Sequence, residues 1–86
     1  MDTTQIRYFI SAVDVGNFTV AAADNNISQS SFSKKIMALE RELGVELFTR
    51  SKRNLVLTDA GQFFFKYAKD FELSYYSMRA SLQQFS

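Results

Sequence analysis

The amino-acid sequence predicts a mainly α protein in which three short helices precede a β-hairpin and one long helix follows it. Proline is absent from the 86 residues and glycine occurs only three times, a composition that favours helices over a sandwich or a barrel. Apolar residues also recur at helical spacing in several segments. A chain of this length forms one small domain, and its apolar content of 47% is sufficient for a core and an additional interface.

The first helix is predicted from Gln5 to Asp14. Its apolar residues recur at positions i, i+3, i+4 and i+7, which places them on one face of an amphipathic helix: Ile6, Phe9, Ile10 and Val13. Gly16 follows in the position that a left-handed C-cap would take, so we expect the helix to end there.

A second helix is predicted in the alanine-rich segment that follows Gly16. Either Asn17 or Thr19 can serve as its N-cap, because a short polar side chain at this position accepts a hydrogen bond from the first turn. Two consecutive asparagines, Asn25 and Asn26, are expected to end it.

The third helix is predicted from its N-cap Ser28 to Glu42, with Gly44 closing it. The turn that separates it from the second helix is only a few residues long. Two helices joined in this way cross at a steep angle, so the sequence predicts a helix-turn-helix over about residues 18–37.

The third helix has two contrasting faces. At about 100° per residue, its apolar side chains share one face: Phe32, Ile36, Leu39 and Leu43. The opposite strip carries hydroxyls, cations and one thioether: Ser30, Ser33, Lys34, Met37 and Arg41. An ordinary solvated face is the alternative, but such faces are dominated by Glu, Lys, Gln and Arg. Short serine side chains let another surface approach closely, so this strip is predicted to meet a partner.

A β-hairpin is predicted over about residues 46–57, because apolar residues flank the polar tip Arg50–Asn54 on both sides. Solvation of a loop would by itself explain a basic tip. The charge distribution favours a further role: residues 28–54 carry six cations and three anions, a net charge of +3, whereas the remainder carries four cations and six anions, a net charge of −2. A basic helix beside a basic hairpin suits a polyanion, and nucleic acid above all.

The last helix is predicted to begin after Thr58, an N-cap followed by Asp59 in the first turn, and to continue to the end of the chain. Apolar residues at alternating 4-3 spacing form a heptad seam along it: Phe64, Ala68, Phe71, Tyr75, Met78, Leu82 and Phe85. Its first two turns are expected to pack on their own domain. Beyond Asp70 a small domain has too little surface to cover the seam, so dimerisation through this helix is predicted.

Composition argues against several functional classes. The sequence contains no cysteine and no histidine, and therefore lacks disulfides, thiolate metal sites and the commonest general base. We expect no enzymatic activity, no catalytic residue, no metal and no cofactor. No apolar run approaches the ~20 residues of a membrane span, and the N-terminus does not have the layout of a signal peptide. A soluble, cytoplasmic protein without a membrane partner is expected.

Several short runs stand in a fixed order along the chain: Gly-x-Phe-Thr-x-Ala-Ala at Gly16–Ala22, Ser28-Gln29, Ser33, Ile36-x-x-Leu39-Glu40, Leu43–Phe48, Arg50 and Leu57-Thr58-x-Ala60-Gly61. This order resembles the N-terminal DNA-binding region of the LysR-type transcriptional regulators of bacteria, and the resemblance covers essentially the entire chain. It implies a winged helix-turn-helix at residues 1–58, whose second and third helices read DNA. It also implies a linker helix at residues 59–86 that pairs antiparallel with its twin.

The resemblance further implies a larger protein. Members of the family carry a C-terminal domain that binds a small-molecule effector, and this domain is absent from the present chain. The implied assembly is a homodimer on double-stranded DNA, with a tetramer as an alternative for the full-length protein.

The general docking geometry of helix-turn-helix proteins, and not a code transferred from the family, indicates roles for particular residues. The third helix would enter the major groove by its N-terminal end, where base edges and nearby phosphates come within reach of four side chains: Gln29, Ser30, Ser33 and Lys34. Residues near helix N-termini would hold phosphates: Asn17, Thr19 and Ser28. The wing tip would follow the backbone, with Arg53 entering a narrow minor groove: Arg50, Lys52 and Arg53.

A dimeric winged-helix module that binds proteins without specific DNA binding is the alternative function. Weak DNA binding that does not depend on salt would favour this alternative, because contacts with phosphates always make the affinity salt-dependent.

Overall fold

The computed structural model describes residues 1–49 and 55–86, so the predicted hairpin tip, Arg50–Asn54, lies outside the described residues. Its elements are the helices α1 (Thr3–Val15), α2 (Phe18–Asp24) and α3 (Gln29–Leu43), the strands β1 (Phe48–Thr49) and β2 (Val56–Leu57), the helix α4 (Asp59–Leu82) and a 3₁₀ turn (Gln83–Phe85). The mainly α fold with one antiparallel hairpin is confirmed.

Each of the four α-helices in this part of the chain begins at a side-chain cap. Asp2, Asn17, Ser28 and Thr58 each accept a hydrogen bond from the backbone N–H three residues further on. Asn17 and not Thr19 is therefore the cap of α2. Helix α1 begins earlier than predicted because Asp2 and Gln5 form a reciprocal capping box.

Aromatic rings form the centre of the core, where α1, α2 and α3 meet the first strand. Phe9, Phe32 and Phe48 are fully buried. The ring of Phe18 lies 5.6 Å from that of Phe32 and 5.3 Å from that of Phe48, centroid to centroid. Both pairs are edge-to-face, an arrangement that aromatic quadrupoles prefer, so helix α2 is held against α3 by specific ring contacts.

The hairpin is anchored to α3 through a buried carboxylate. Glu40, only 8% exposed, accepts hydrogen bonds from the backbone N–H groups of Leu47 at 2.7 Å and Phe48 at 3.3 Å. The strands are shorter than the sequence predicts: Phe48 pairs with Leu57 and Thr49 with Val56. Leu47 is buried but precedes the first paired residue of the hairpin, because its N–H is bonded to Glu40 and not to the opposite strand.

Helix α4 packs on the domain with its first turns and then extends away from it. Ala68 belongs to the core, and Phe64 and Phe65 pack against it. The predicted α-helix to the end of the chain is wrong for the last residues, because α4 ends at Leu82 and a 3₁₀ turn follows. Terminal carbonyls without helical partners favour such a tightened turn. None of the helices described is long and apolar enough to cross a membrane.

Candidate nucleic-acid interface

The two faces of α3 are arranged as the sequence predicts. Phe32, Ile36 and Leu39 are completely buried, and Leu43 packs at the edge of the core. On the opposite face Ser30 and Lys34 are exposed, together with Met37 and Arg41, while Ser33 is half-buried. Gln29 is exposed in the first turn of the helix, beside this face. Helix α3 therefore presents a continuous polar strip that the core does not need.

Two residues of this region are joined across the turn between α2 and α3. The Thr19 hydroxyl donates a hydrogen bond of 3.2 Å to Oε1 of Gln29. Oε1 has a second lone pair, and Nε2 has two donor hydrogens. The adjacent donor and acceptor that adenine requires in the major groove are thus compatible with the contact to Thr19. The structure brings together one predicted phosphate contact and one predicted base contact.

The other two candidate phosphate contacts, Asn17 and Ser28, are exposed caps of α2 and α3. Asn17 accepts from the N–H of Val20 through Oδ1 at 2.9 Å, and Ser28 accepts from the N–H of Ser31 through Oγ at 3.1 Å. Capping uses an acceptor in both side chains, which leaves the Asn17 amide N–H₂ and the Ser28 O–H as donors. Donors are what a phosphate oxygen needs.

The candidate residues of the wing tip, Arg50, Lys52 and Arg53, lie outside the described residues. Hydrogen bonds attach both strands of the hairpin to the domain. At β1, Glu40 of α3 accepts from the backbone N–H groups of Leu47 and Phe48. At the other strand, the Thr58 hydroxyl donates to the carbonyl of Glu46 at 2.6 Å. The base of the wing is therefore fixed relative to the polar strip of α3.

Residues of the heptad seam occupy three different environments. Ala68 is 3% exposed, and the ring of Phe64 lies 5.0 Å from that of Phe9, so both residues contact their own domain. Tyr75 is half-buried. The remaining four residues are exposed: Phe71, Met78, Leu82 and Phe85.

Two exposed aromatic residues of α4 lie outside the predicted heptad seam. Phe63 and Tyr67 are both more than half exposed, and their ring centroids lie 5.1 Å apart. At i and i+4 they continue the line of Phe71 along the helix. The heptad pattern assigns only the middle residue of the run Phe63–Phe65 to the seam. The small residues Gly61 and Ala68 indicate in the sequence which side of α4 packs on the domain, because both permit close packing on one side of the helix.

The acidic side chains do not form a metal centre within residues 1–49 and 55–86. No group of three or more potential metal ligands comes together there. The chemistry available on the polar strip of α3 is hydrogen bonding and charge, which suits recognition of a surface.

Comparison with known proteins relates this arrangement to one family. The model of the bacterial regulatory helix-turn-helix proteins of the lysR family matches residues 3–62. The probable cat1 operon transcriptional activator of Acinetobacter lwoffii is 47% identical over 68 residues, which cover 79% of this chain and 22% of that protein. The HTH-type transcriptional regulator TfdT of Cupriavidus pinatubonensis is 41% identical over 64 residues, which cover 74% of this chain and 28% of that protein.

Two solved structures extend the similarity to the whole chain. The BenM_DBD/benA site 1 DNA complex superposes with a TM-score of 0.95 at 33% identity and covers 99% of this chain and 96% of its own. The CbnR_DBD–DNA complex superposes with a TM-score of 0.86 at 36% identity and covers 100% of both chains. The present chain spans about a quarter of the length of the curated relatives. It belongs to the LysR family of bacterial regulatory helix-turn-helix proteins.

Proposed function

We propose that this chain binds double-stranded DNA sequence-specifically, as the DNA-binding domain of a cytoplasmic, non-enzymatic transcriptional regulator. The observation that carries the proposal is the exposed polar strip of α3. It lies on a helix-turn-helix whose backbone superposes, with a TM-score of 0.95, on a domain solved in complex with DNA. Helix α3 enters the major groove by its N-terminal end.

The base contacts are assigned to the first two turns of α3. Gln29 pairs with adenine through its amide. Ser30 and Ser33 contact bases or phosphates through their hydroxyls. Lys34 acts as a point charge, since an ammonium group lacks the two-pronged geometry with which arginine reads guanine. Because all four residues lie within two turns of one helix, they span about three base pairs.

Contacts with the DNA backbone fix the position of α3. Asn17 and Ser28 donate to phosphates from the entrances of α2 and α3. Thr19 donates to a phosphate only when it gives up its hydrogen bond to Gln29, because its hydroxyl has one donor hydrogen. The wing, with Arg50, Lys52 and Arg53, follows the backbone beside the groove and places Arg53 in an A·T-rich minor groove. These contacts supply affinity without distinguishing sequences.

Two copies read an interrupted dyad. We assign residues 1–58 to DNA reading and residues 59–86, helix α4 with its terminal turn, to a linker. The linker forms a homodimer through the exposed residues of its seam: Phe71, Met78, Leu82 and Phe85. The matched relatives are about four times as long as the aligned segment, so we assign effector sensing and any tetramer to a further domain of such a regulator. Selection of bound duplexes from a random pool tests the proposal: a consensus with dyad symmetry supports it, and recovery of random sequences contradicts it.

Replacing Gln29 with alanine should reduce specificity more than affinity. The loss should be about 1–3 kcal/mol at the base pair that Gln29 reads, with little change in folding because the side chain is exposed in the first turn of α3. Titration of selected and random duplexes with both proteins measures the difference. Gln84→Ala, an exposed glutamine at the far end of the chain, is the matched control. Equal losses on selected and random DNA would refute direct reading by Gln29.

Replacing Lys52 with alanine should weaken binding to all sequences nearly equally. Each neutralised phosphate contributes roughly 0.9 to the slope of log affinity against log salt concentration, so the slope should flatten by about 1 unit. Lys66→Ala, an exposed lysine of α4, should leave the slope unchanged. An unchanged slope for Lys52→Ala would show that Lys52 does not contact a phosphate. A wild-type affinity that does not depend on the salt concentration would favour the protein-binding alternative.

A further inference from the structure

We propose that Met37 reads thymine: its thioether side chain contacts the 5-methyl group of one thymine in each half-site. The inference rests on the proposed function, since it requires α3 to lie in the major groove. It adds an apolar base contact to the polar contacts assigned above.

Met37 occupies the reading face of α3. Ser30, Ser33, Lys34 and Met37 stand at positions i, i+3, i+4 and i+7, which share one face of a helix. Helices of three-helix relatives of the helix-turn-helix read bases from side chains with this spacing. With a rise of 1.5 Å per residue, Met37 lies about 10 Å further along the helix than Ser30, a distance of about three base-pair steps.

Met37 is not needed by the core. Its side chain is 48% exposed, whereas Ile36 and Leu39, its near neighbours on the buried face, are completely buried. An exposed, flexible apolar side chain in the middle of a polar strip adds nothing to solvation. A surface that covers it would gain from its apolar area, and in the proposed complex that surface is the floor of the major groove.

The charges around Met37 favour the approach of DNA. Lys34, three residues before it, and Arg41, four residues after it, are exposed and lie on the same face. Each of these two cations, one before and one after the thioether, can contact a phosphate. The thioether between them is then directed at the base edges.

The chemistry of the groove selects the base. Exocyclic amino groups, carbonyl oxygens and N7 atoms line the major-groove edges, and thymine alone of the four bases adds a methyl group. The thioether of methionine is only a weak acceptor and cannot replace the hydrogen bonds that a polar edge makes to water. Its three rotatable bonds allow it to adapt to the methyl group. Contact with thymine therefore has the smallest desolvation cost for Met37 among the four bases.

The test is a cycle that changes the side chain and the methyl group separately. Duplexes selected with the wild-type protein are resynthesised with deoxyuridine in place of each thymine in turn, which removes only the methyl group. Equilibrium titration at one salt concentration compares wild type with Met37→Ala. For one thymine of a half-site, uracil should weaken wild-type binding about fourfold, the equivalent of one methyl group left in water. Met37→Ala should bind the thymine and uracil duplexes equally.

Three further variants separate a contact from a general effect. Met37→Leu should keep most of the preference for thymine, and Met37→Gln, of similar length but polar, should lose it. Leu73→Ala, which shortens another exposed apolar side chain on α4, should show the full uracil penalty. Circular dichroism should show an unchanged fold for all of them, since both positions are exposed.

A uracil penalty that is the same in wild type and Met37→Ala at every thymine overturns the inference, as does a selected half-site without thymine. Either result leaves the proposed function intact, because selected duplexes are still bound. If no sequence is selected at all, the proposed function fails and the inference fails with it.

Discussion

Replacing Gly61 with alanine is expected to lower the free energy of unfolding by about 2–3 kcal/mol, although alanine is intrinsically the better helix residue by about 1 kcal/mol. A Cβ atom at Gly61 would lie well inside contact distance of the Leu47 carbonyl oxygen and 2.9 Å from Cδ2 of Leu57. The first of these neighbours is backbone and cannot rotate away. Helix α4 would have to move from the base of the wing.

The backbone at Leu47 is held from three directions, which explains why movement is costly. Its carbonyl accepts from the N–H of Thr58 at 3.0 Å, and its N–H donates to Glu40 at 2.7 Å. The Leu47 side chain is itself completely buried. Relief of the clash therefore requires loss of a hydrogen bond or of core packing.

Chemical denaturation, monitored by circular dichroism, measures the free energy of unfolding of Gly61→Ala and of the wild type. Gln62→Ala, an exposed position in the same turn, is the control and should change stability by less than about 0.5 kcal/mol. A Gly61→Ala protein as stable as wild type, or more stable, would show that α4 is not seated on Leu47 as the structure has it.

Replacing Phe71 with aspartate is expected to separate the proposed dimer and to reduce affinity for a complete dyad by about 10² or more. Phe71 is 43% exposed in the single chain and lies between the exposed pair Phe63 and Tyr67 and the exposed Met78. A dimer that covers this stripe would bury an unpaired carboxylate at position 71, at a cost of several kcal/mol. The monomer should retain weak binding to a half-site, because the core, which includes Ala68 with Phe64 and Phe65 packed against it, does not contain Phe71.

Sedimentation at micromolar concentration checks the assembly, and titration of dyad and half-site duplexes checks the affinity. Leu73→Asp places the same charge on the same helix at a side chain that is 67% exposed and lies off the seam, so this variant should remain dimeric. A Phe71→Asp protein that sediments as a dimer would exclude the seam as the dimer contact.

Features that depend on neighbouring residues in the chain were predictable from the sequence. Ser28 and Thr58 were identified as caps, and both bond the backbone three residues further on. A capping bond joins groups that are already close in sequence, so no distant segment decides it. The division of α3 into a buried and an exposed face followed in the same way from the helical period. It defined the polar strip on which the proposed function rests.

The rotation of α4 was not predictable in this way. Phe63, Phe64 and Phe65 are consecutive, and the heptad pattern assigned only Phe64 to the seam. In the structure Phe64 and Phe65 pack on the core while Phe63 remains exposed. The close approach of Gly61 to Leu47 and the packing of Phe64, Phe65 and Ala68 on the core accompany this rotation, and these contacts join parts of the chain that no local pattern relates.

Glu40 shows the same dependence on distant contacts. In the sequence it is one of the three anions of residues 28–54. In the structure it is buried and accepts hydrogen bonds from two backbone N–H groups just ahead of and at the start of β1. Hydrogen bonds within one helical turn and the period of the helix are properties of the sequence itself, and they determined the caps and the faces. The place of Glu40 and the exposed stripe of α4 were decided by the tertiary structure, because a buried group is stable only where another part of the chain supplies its partners.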